Sequence, residues 1–205
     1  MTWLVPPDRR RLTPNRRDAG DPRVRPVEGI VYHYTAGAFA GSVAWLCDPR
    51  SQASAHFVIS KAGEVVQLAS LDDRTWHAGV STFRGRGMVN ERTWGIEIEN
   101  FGPTAAGWDP YTEEQLVAAV VLTRDLVARM PNVVEVRAAP QRFLVGHEHV
   151  APTRKKDPGP AFPWGRIYAA ARSVAAPVTA GGDASSLPPE GLMTPVNGMC
   201  GGDKP

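Results

Sequence analysis

Long apolar runs are missing from this sequence. None of its 205 residues belongs to an uninterrupted apolar stretch of about 18 or more, so nothing in it reads as a membrane span. The opening MTWLVPPDRRR lacks the apolar core of a secretory signal, so the chain is expected to be made in the cytoplasm. Cysteine is scarce. Cys47 and Cys200 are the only two, and they form no C-x-x-C pair, which excludes a thiol metal clip and a dithiol redox motif. Charge of one sign is scarce as well: the net +2 is too small to imply a nucleic-acid partner, although it suits an anionic polymer. Arg9, Arg10, Arg11, Arg16, Arg17, Arg23 and Arg25 crowd the start, but no aromatics are interleaved with them as a base-stacking site requires. They read as a solvated arm or the lip of a cleft. What remains, 42% hydrophobic and 21% charged, is ordinary for one globular domain, and a chain this long buries a core without disulfides.

Residues 1–28 are rich in Pro and Arg and are expected to wrap irregularly onto the body. GIVYHY (29–34) reads as a buried strand, 40–47 as a short helix, and HFVIS (56–60) with EVVQL (64–68) as a hairpin turning at Lys61-Ala62-Gly63. GIEIEN (95–100) alternates apolar and acidic residues, the period of a strand with one buried face, which puts Glu97 and Glu99 on the same side. Thr112 and Gln115 make a capping box for a helix in which Leu116, Val117, Val120, Val121, Arg124 and Val127 recur at helical spacing, a largely apolar stripe running to about Met130. FLVG (143–146) is a further strand and 163–174 a last helix, with Pro163 near its first turn. Beyond Ala175 the composition turns to Gly, Pro, Ser and Thr, the signature of a flexible tail. Strands interspersed with helices predict an α/β fold, a central mixed sheet flanked by helices in a single domain over 29–175.

Two of the five histidines sit where strands end: His33 after GIVY and His147 after FLVG. Ten residues past His147 comes Asp157, within KKDPGPAFPW. Two neutral imidazoles and a carboxylate, with a fourth position free for water, are the usual set of a catalytic zinc. Alone, this is a weak pointer. A strand-end histidine is more often packed or solvated than ligating, and spacing does not connect His33 to His147.

The segments VYHYTAG (31–37), SAHFVISKAGEVVQL (54–68), TWHAGVSTFRGR (75–86), WGIEIEN (94–100) and GHEHVAPTRKKDPGPAFPW (146–164) together resemble the type-2 N-acetylmuramoyl-L-alanine amidases. That family includes phage lysozyme-type amidases, cytoplasmic anhydromuropeptide amidases of cell-wall recycling, and peptidoglycan recognition proteins. The resemblance implies Zn2+ held by His33, His147 and Asp157 in a cleft at the strand ends. It implies Glu97 as the proton-transferring acid and base and Lys155 as the cation facing the developing oxyanion. Trp76, His77 and Tyr34 are implied as substrate contacts, with a structural hydrogen-bond role equally open for His77, and the substrate as peptidoglycan or a muropeptide, cleaved between N-acetylmuramic acid and L-alanine. An aspartate as third ligand, where the phage branch carries cysteine, is similar to the recycling amidases. His149 departs from those, which usually carry aspartate there, and is expected to face solvent, as is Lys156. Glu99 is expected at the cleft rim and His56 to pack beside the site.

A monomer with no nucleic-acid or membrane partner is expected. The alternative class is a non-catalytic peptidoglycan-binding module; such modules typically lose a zinc ligand, whereas all three positions are filled here. A purely structural zinc domain is disfavoured because no cysteine closes the set of His33, His147 and Asp157. Within the enzyme class, a recycling amidase for soluble muropeptides and a lysin released onto the intact wall both remain open. Because residues 176–205 carry too few large apolar side chains to build a core, their deletion should leave thermal stability and hydrolysis nearly unchanged. A large drop in melting temperature on truncation would show instead that Leu187, Leu192 or Met193 docks on the body.

Overall fold

A computed structural model describes residues 1–18, 20–21 and 26–175; the tail, Cys200, Arg23 and Arg25 lie outside the described residues. In chain order the elements are β1 (Arg16–Arg17), β2 (Gly29–Tyr34), α1 (Phe39–Leu46), β3 (Phe57–Ile59), β4 (Val65–Gln67), β5 (Arg74–Thr75) and β6 (Thr93–Ile98). There follow β7 (Pro103–Thr104), β8 (Gly107–Trp108), α2 (Glu113–Val127), α3 (Val133–Ala138), β9 (Leu144–Gly146), α4 (His147–Val150) and α5 (Trp164–Arg172). Five strands form the main sheet in the order β4-β3-β6-β2-β9. β3, β6, β2 and β9 run parallel, and β4 closes one edge antiparallel to β3. The sheet is mixed and flanked by helices, as the sequence predicts.

The two faces of this sheet differ. Ile30 and Tyr32 of β2, Phe57 and Ile59 of β3, Trp94, Ile96 and Ile98 of β6 and Leu144 of β9 pack against α2, α3 and α5 in one apolar core. Each such side chain, fully buried, contributes about 1.5–3 kcal/mol. The intervening residues face the other way. Val31 joins Ala78, Phe83, Val89 and Val150, and Val58 joins Leu46, Ala55, Val66 and Leu68, in two smaller clusters. The polar positions of the strand ends fall on this second face.

The apolar stripe read for α2 is displaced in the structure. The helix starts with the expected capping box, Thr112 Oγ1 accepting from Gln115 N–H at 3.2 Å and Gln115 Oε1 from Thr112 N–H at 3.0 Å. Its buried positions, however, are Gln115, Ala119, Leu122, Thr123, Leu126 and Val127, whereas Val117 and Val121 stay about half exposed, at 50% and 53%. Two polar residues sit inside because they are satisfied there: Gln115 donates to the Glu99 carbonyl at 2.6 Å, and Thr123 meets the Tyr32 hydroxyl at 2.7 Å. A reading by apolarity alone rotates the helix by part of a turn. The helix α3, the β1–β5 ribbon and the β7–β8 ribbon have too little periodicity to be read beforehand.

The first residues of the chain lie along β4. Arg11 N–H donates to the Gln67 carbonyl at 3.0 Å, Thr13 N–H to the Leu68 carbonyl at 2.8 Å, and Leu4 N–H to Gln67 Oε1 at 2.7 Å. This covers an edge that would otherwise present unpaired amides.

His56, just before β3, is wholly buried and built into the sheet. Its Nε2 lies 3.2 Å from the Asp73 carbonyl, while Nδ1 accepts from Gly95 N–H at 3.1 Å and sits 3.0 Å from Thr75 Oγ1. Burial pushes its pKa down to about 3 from an ordinary 6.5; the Asp73 carbonyl partly opposes this and the charge of Arg74 adds to it. An unfolded chain therefore takes up a proton between those values that the folded one refuses. The stabilisation is complete above pH 6.5 and is lost progressively as pH falls toward 3. Urea denaturation at pH 7.5 and 4.5 should show a loss of up to about 2–3 kcal/mol from this group, and His56→Gln should flatten that part of the pH dependence. An unchanged slope in the variant would contradict the assignment.

Candidate metal centre and catalytic cleft

Neighbouring parallel strands end at one edge of the sheet, the place where an open α/β sheet leaves a crevice. His33 and Glu97 are paired across the β2–β6 ladder, so the two side chains leave the sheet side by side on the same face. β9 runs directly into His147 at the start of α4. Backbone pairing on both sides of β2 leaves His33 little freedom.

Asp157 arrives from the loop after α4. Glu148 N–H donates to the Asp157 carbonyl at 2.8 Å, and the Tyr111 hydroxyl donates to the Pro158 carbonyl at 2.9 Å. The loop approaches so closely because residue 146 is glycine: a Cβ there would stand 2.5 Å from Pro158 Cδ.

The three side chains meet in a triangle. His33 Nδ1 and His147 Nδ1 are 3.0 Å apart, and Asp157 Oδ2 is 2.9 Å from the first and 3.1 Å from the second. All three residues are buried. The outer nitrogens are engaged elsewhere, His147 Nε2 at 3.1 Å from the Ala78 carbonyl and His33 Nε2 at 3.0 Å from His77 Nδ1. A carbonyl only accepts, and it lies nearer than the Arg154 Nη2 at 3.4 Å, so the shorter contact places the His147 hydrogen on Nε2 and a bare Nδ1 inward. Burial drives the His33 pKa down to about 4, with the charges of His147 and Lys155 adding to the effect and the Asp157 hydrogen bond opposing it. Lone pairs on neutral nitrogens facing a carboxylate repel unless a cation joins them. Tetrahedral zinc, with bonds of about 2.0–2.1 Å, holds its ligand atoms about 3.3 Å apart, so donor set and spacing both fit that ion.

Glu97, Lys155, Tyr34 and Trp76 line the same cleft, of about 500 Å³. Glu97 Oε2 is enclosed and has no hydrogen-bond partner. Burial, reinforced by the charge of Asp157 and opposed by Lys155, raises the Glu97 pKa well above its ordinary value. Trp76 is 37% exposed at the mouth, and Tyr34 stands edge-on to Trp108 at 6.4 Å. His77 is brought to the site but is only 7% exposed and bonds to His33. Glu99 is not at a free rim. Its Oε1 accepts from Phe39 N–H at 2.9 Å and Oε2 from Lys61 N–H at 2.6 Å, so it caps α1 and pins the hairpin turn. His149 is half exposed, yet its Nδ1 accepts from Gly146 N–H at 2.8 Å and its ring lies 5.4 Å from that of Trp164. Lys156 is exposed, at the cleft margin.

Two residues of the cleft were not singled out from sequence. Trp45, 54% exposed on α1, lines it, and Arg154 donates to the carbonyls of Ala78 at 2.7 Å and Val80 at 2.9 Å, tying that loop to the site. Arg154 stands in a run of three cations, RKK, where nothing in the composition distinguishes a clamp from a solvated charge.

Comparison with known proteins identifies the family. Residues 23–160 match the family described as N-acetylmuramoyl-L-alanine amidase. The 1,6-anhydro-N-acetylmuramyl-L-alanine amidase AmpD of Enterobacter cloacae is 41% identical over 116 residues, which span 57% of this chain and 56% of that protein. The chain thus spans little more than half the length of the curated relatives it matches. A crystal structure of a selenomethionine AmpD derivative superposes with a TM-score of 0.66 at 31% identity, covering 82% of this chain and 96% of the other. The amidase AmiD from Escherichia coli, in complex with its substrate anhydro-N-acetylmuramic acid-L-Ala-D-γ-Glu-L-Lys, gives 0.62 at 30% identity, covering 77% and 61%.

If the triangle is a metal centre, the purified chain should bind one zinc. His33→Ala and His147→Ala should each lower zinc content sharply while leaving the far-ultraviolet circular dichroism nearly unchanged. Full occupancy in both variants would contradict the ligand set.

Proposed function

This chain belongs to the N-acetylmuramoyl-L-alanine amidase family, and from that premise we propose that it hydrolyses the amide joining N-acetylmuramic acid to L-alanine, using zinc held by His33, His147 and Asp157. The observation that carries the reading is the buried triangle of ligand atoms 2.9–3.1 Å apart, with an unpartnered Glu97 carboxyl beside it. Zinc bound there supplies Lewis acidity, acidifying water and polarising an amide carbonyl.

The chain's own residues do the rest. Glu97 shares the cleft with the triangle, and burial raises its pKa, which strengthens it as a proton acceptor. It takes the proton of the attacking water as the new C–O bond forms and passes it to the L-alanine nitrogen as the C–N bond breaks. The products are the lactyl carboxylate of the muramic acid and a free L-alanine amine. Lys155 faces the amide oxygen as that atom gains charge, a task for a fixed cation in a cleft of restricted water access. Trp76 and Tyr34 offer aromatic surface to the muropeptide. The relatives described above are named anhydromuramyl- and muramoyl-L-alanine amidases, and the substrate bound to AmiD is an anhydromuropeptide; this supports a soluble anhydromuropeptide as substrate over phage-type release onto intact wall, since structures named endolysins are only 21% and 23% identical. Among the described residues no helix is long and apolar enough to cross a membrane.

The zinc-loaded protein should release free L-alanine amino termini from soluble anhydromuropeptide, and do so faster than from purified sacculi. Binding without product would favour the non-catalytic module, and faster digestion of sacculi a wall-directed lysin. Glu97→Gln should retain zinc but lose on the order of 100-fold or more in kcat, and Glu99→Gln much less. Lys155→Ala should lower kcat by roughly 10²–10³, with Lys156→Ala close to wild type. Sensitivity at Lys156 in place of Lys155 would shift the assignment by one residue.

A further inference from the structure

We propose that His77 is a positioning residue for the metal centre, the middle member of a hydrogen-bond relay from Thr93 that fixes which nitrogen of His33 is bare. The inference rests on the zinc reading above and adds to it a residue outside the ligand set.

The relay can be followed proton by proton. His77 Nε2 lies 3.3 Å from the Thr93 carbonyl and 3.2 Å from Thr93 Oγ1. The hydroxyl's own hydrogen is committed to the Val89 carbonyl at 2.8 Å. Both Thr93 oxygens therefore face His77 as acceptors, and Nε2 must carry the ring's hydrogen. A neutral imidazole has one N–H, so His77 Nδ1 is bare. That bare nitrogen stands 3.0 Å from His33 Nε2, which must donate to it. His33 Nδ1 is left without a hydrogen and points at His147 Nδ1 and Asp157 Oδ2. The opposite tautomer would set a proton where the cation belongs and would leave two lone pairs facing each other between the rings.

His77 is held so that it has little choice. Asn90 Oδ1 accepts from the N–H groups of His77 at 3.1 Å and Ala78 at 2.7 Å, fixing the backbone. The ring lies against β6 where Gly95 leaves space: a Cβ there would stand 2.5 Å from His77 Cγ. The next residue completes the arrangement, since the Ala78 carbonyl accepts from His147 Nε2. The dipeptide His77-Ala78 thus sets the tautomer of both ligating imidazoles, one through a side chain and one through the main chain. Partners of this kind orient a ligand ring, and their loss typically weakens metal binding by about 10–100-fold.

The test uses two variants of similar size and opposite chemistry. In His77→Asn the amide oxygen stands where Nδ1 stood and accepts from His33; in His77→Leu nothing does. Zinc dissociation constants, measured by chelator competition on the full chain, should rise about 10–100-fold for His77→Leu and be largely restored in His77→Asn. Long-range proton–nitrogen NMR of the metal-free wild type, which needs no variant to fold, should show His33 as the Nε2–H tautomer, and a mixture in His77→Leu. Equal zinc affinity in all three proteins, equal weakening in both variants, or an Nδ1–H tautomer in the wild type each overturns the relay. A wild type that binds no zinc overturns the metal reading itself, a separate outcome from a wild type that binds zinc as tightly as His77→Leu.

Discussion

Three lone-pair-bearing atoms held 2.9–3.1 Å apart in a buried pocket are the constraint on which this structure turns. Left to itself such a cluster would spread, since neutral imidazole nitrogens and a carboxylate oxygen offer one another no hydrogen where they meet. The fold opposes that spreading with rigid parts. His33 is locked into a strand paired on both sides, His147 follows a strand without an intervening loop, and the Asp157-Pro158 segment is tied back by Glu148 at the first residue and Tyr111 at the second. Rigid presentation of repelling ligands lowers the reorganisation needed to bind a cation, and the same rigidity makes the site selective for a small ion of fixed geometry.

Parts of this were legible in the sequence because they are local. The strand over 29–34, the hairpin at 61–63 and the capping box at Thr112 each follow from residues adjacent in the chain, and the structure has all three. The convergence of His33, His147 and Asp157 was not derivable from spacing, because more than a hundred residues separate the first from the second and only the sheet order β6-β2-β9 brings them together. Resemblance to a family named them; periodicity could not. What escaped altogether was polar burial. Gln115 and Thr123 look like solvent positions of α2 until their partners, the Glu99 carbonyl and Tyr32, are seen.

Glu97 and Glu99 illustrate the same limit from the other side. They are alike in sequence, two residues apart and expected on one face. Glu97 still lies within β6, beside His33, where its Oε2 is enclosed without a partner and burial raises its pKa. Glu99 lies just past the strand's end, where two main-chain N–H groups meet its carboxylate. One acid is left unsatisfied and so is free for chemistry; the other is satisfied and holds α1 and the hairpin turn in place. The distinction is made by where hydrogen bonding stops along one strand, which no local pattern encodes.

The apolar face of the sheet is what keeps the polar face in register. In β2, Ile30 and Tyr32 enter the helical core while His33 leaves by the opposite face; in β6, Ile96 and Ile98 enter while Gly95 and Glu97 oppose them. A slip of one residue in either strand would bury His33 or Glu97 among Phe57, Leu126 and Ile167 and would expel an isoleucine in exchange. Burying an unpaired carboxyl in that core costs several kcal/mol, and each expelled isoleucine forfeits a further ~1.5–3 kcal/mol. The register that builds the site is therefore the register that the core demands. Gly95 belongs to the same logic. Its missing side chain costs β6 some local packing, and the space it leaves is taken by the His77 ring, through which Thr93 of the same strand reaches His33 of the next.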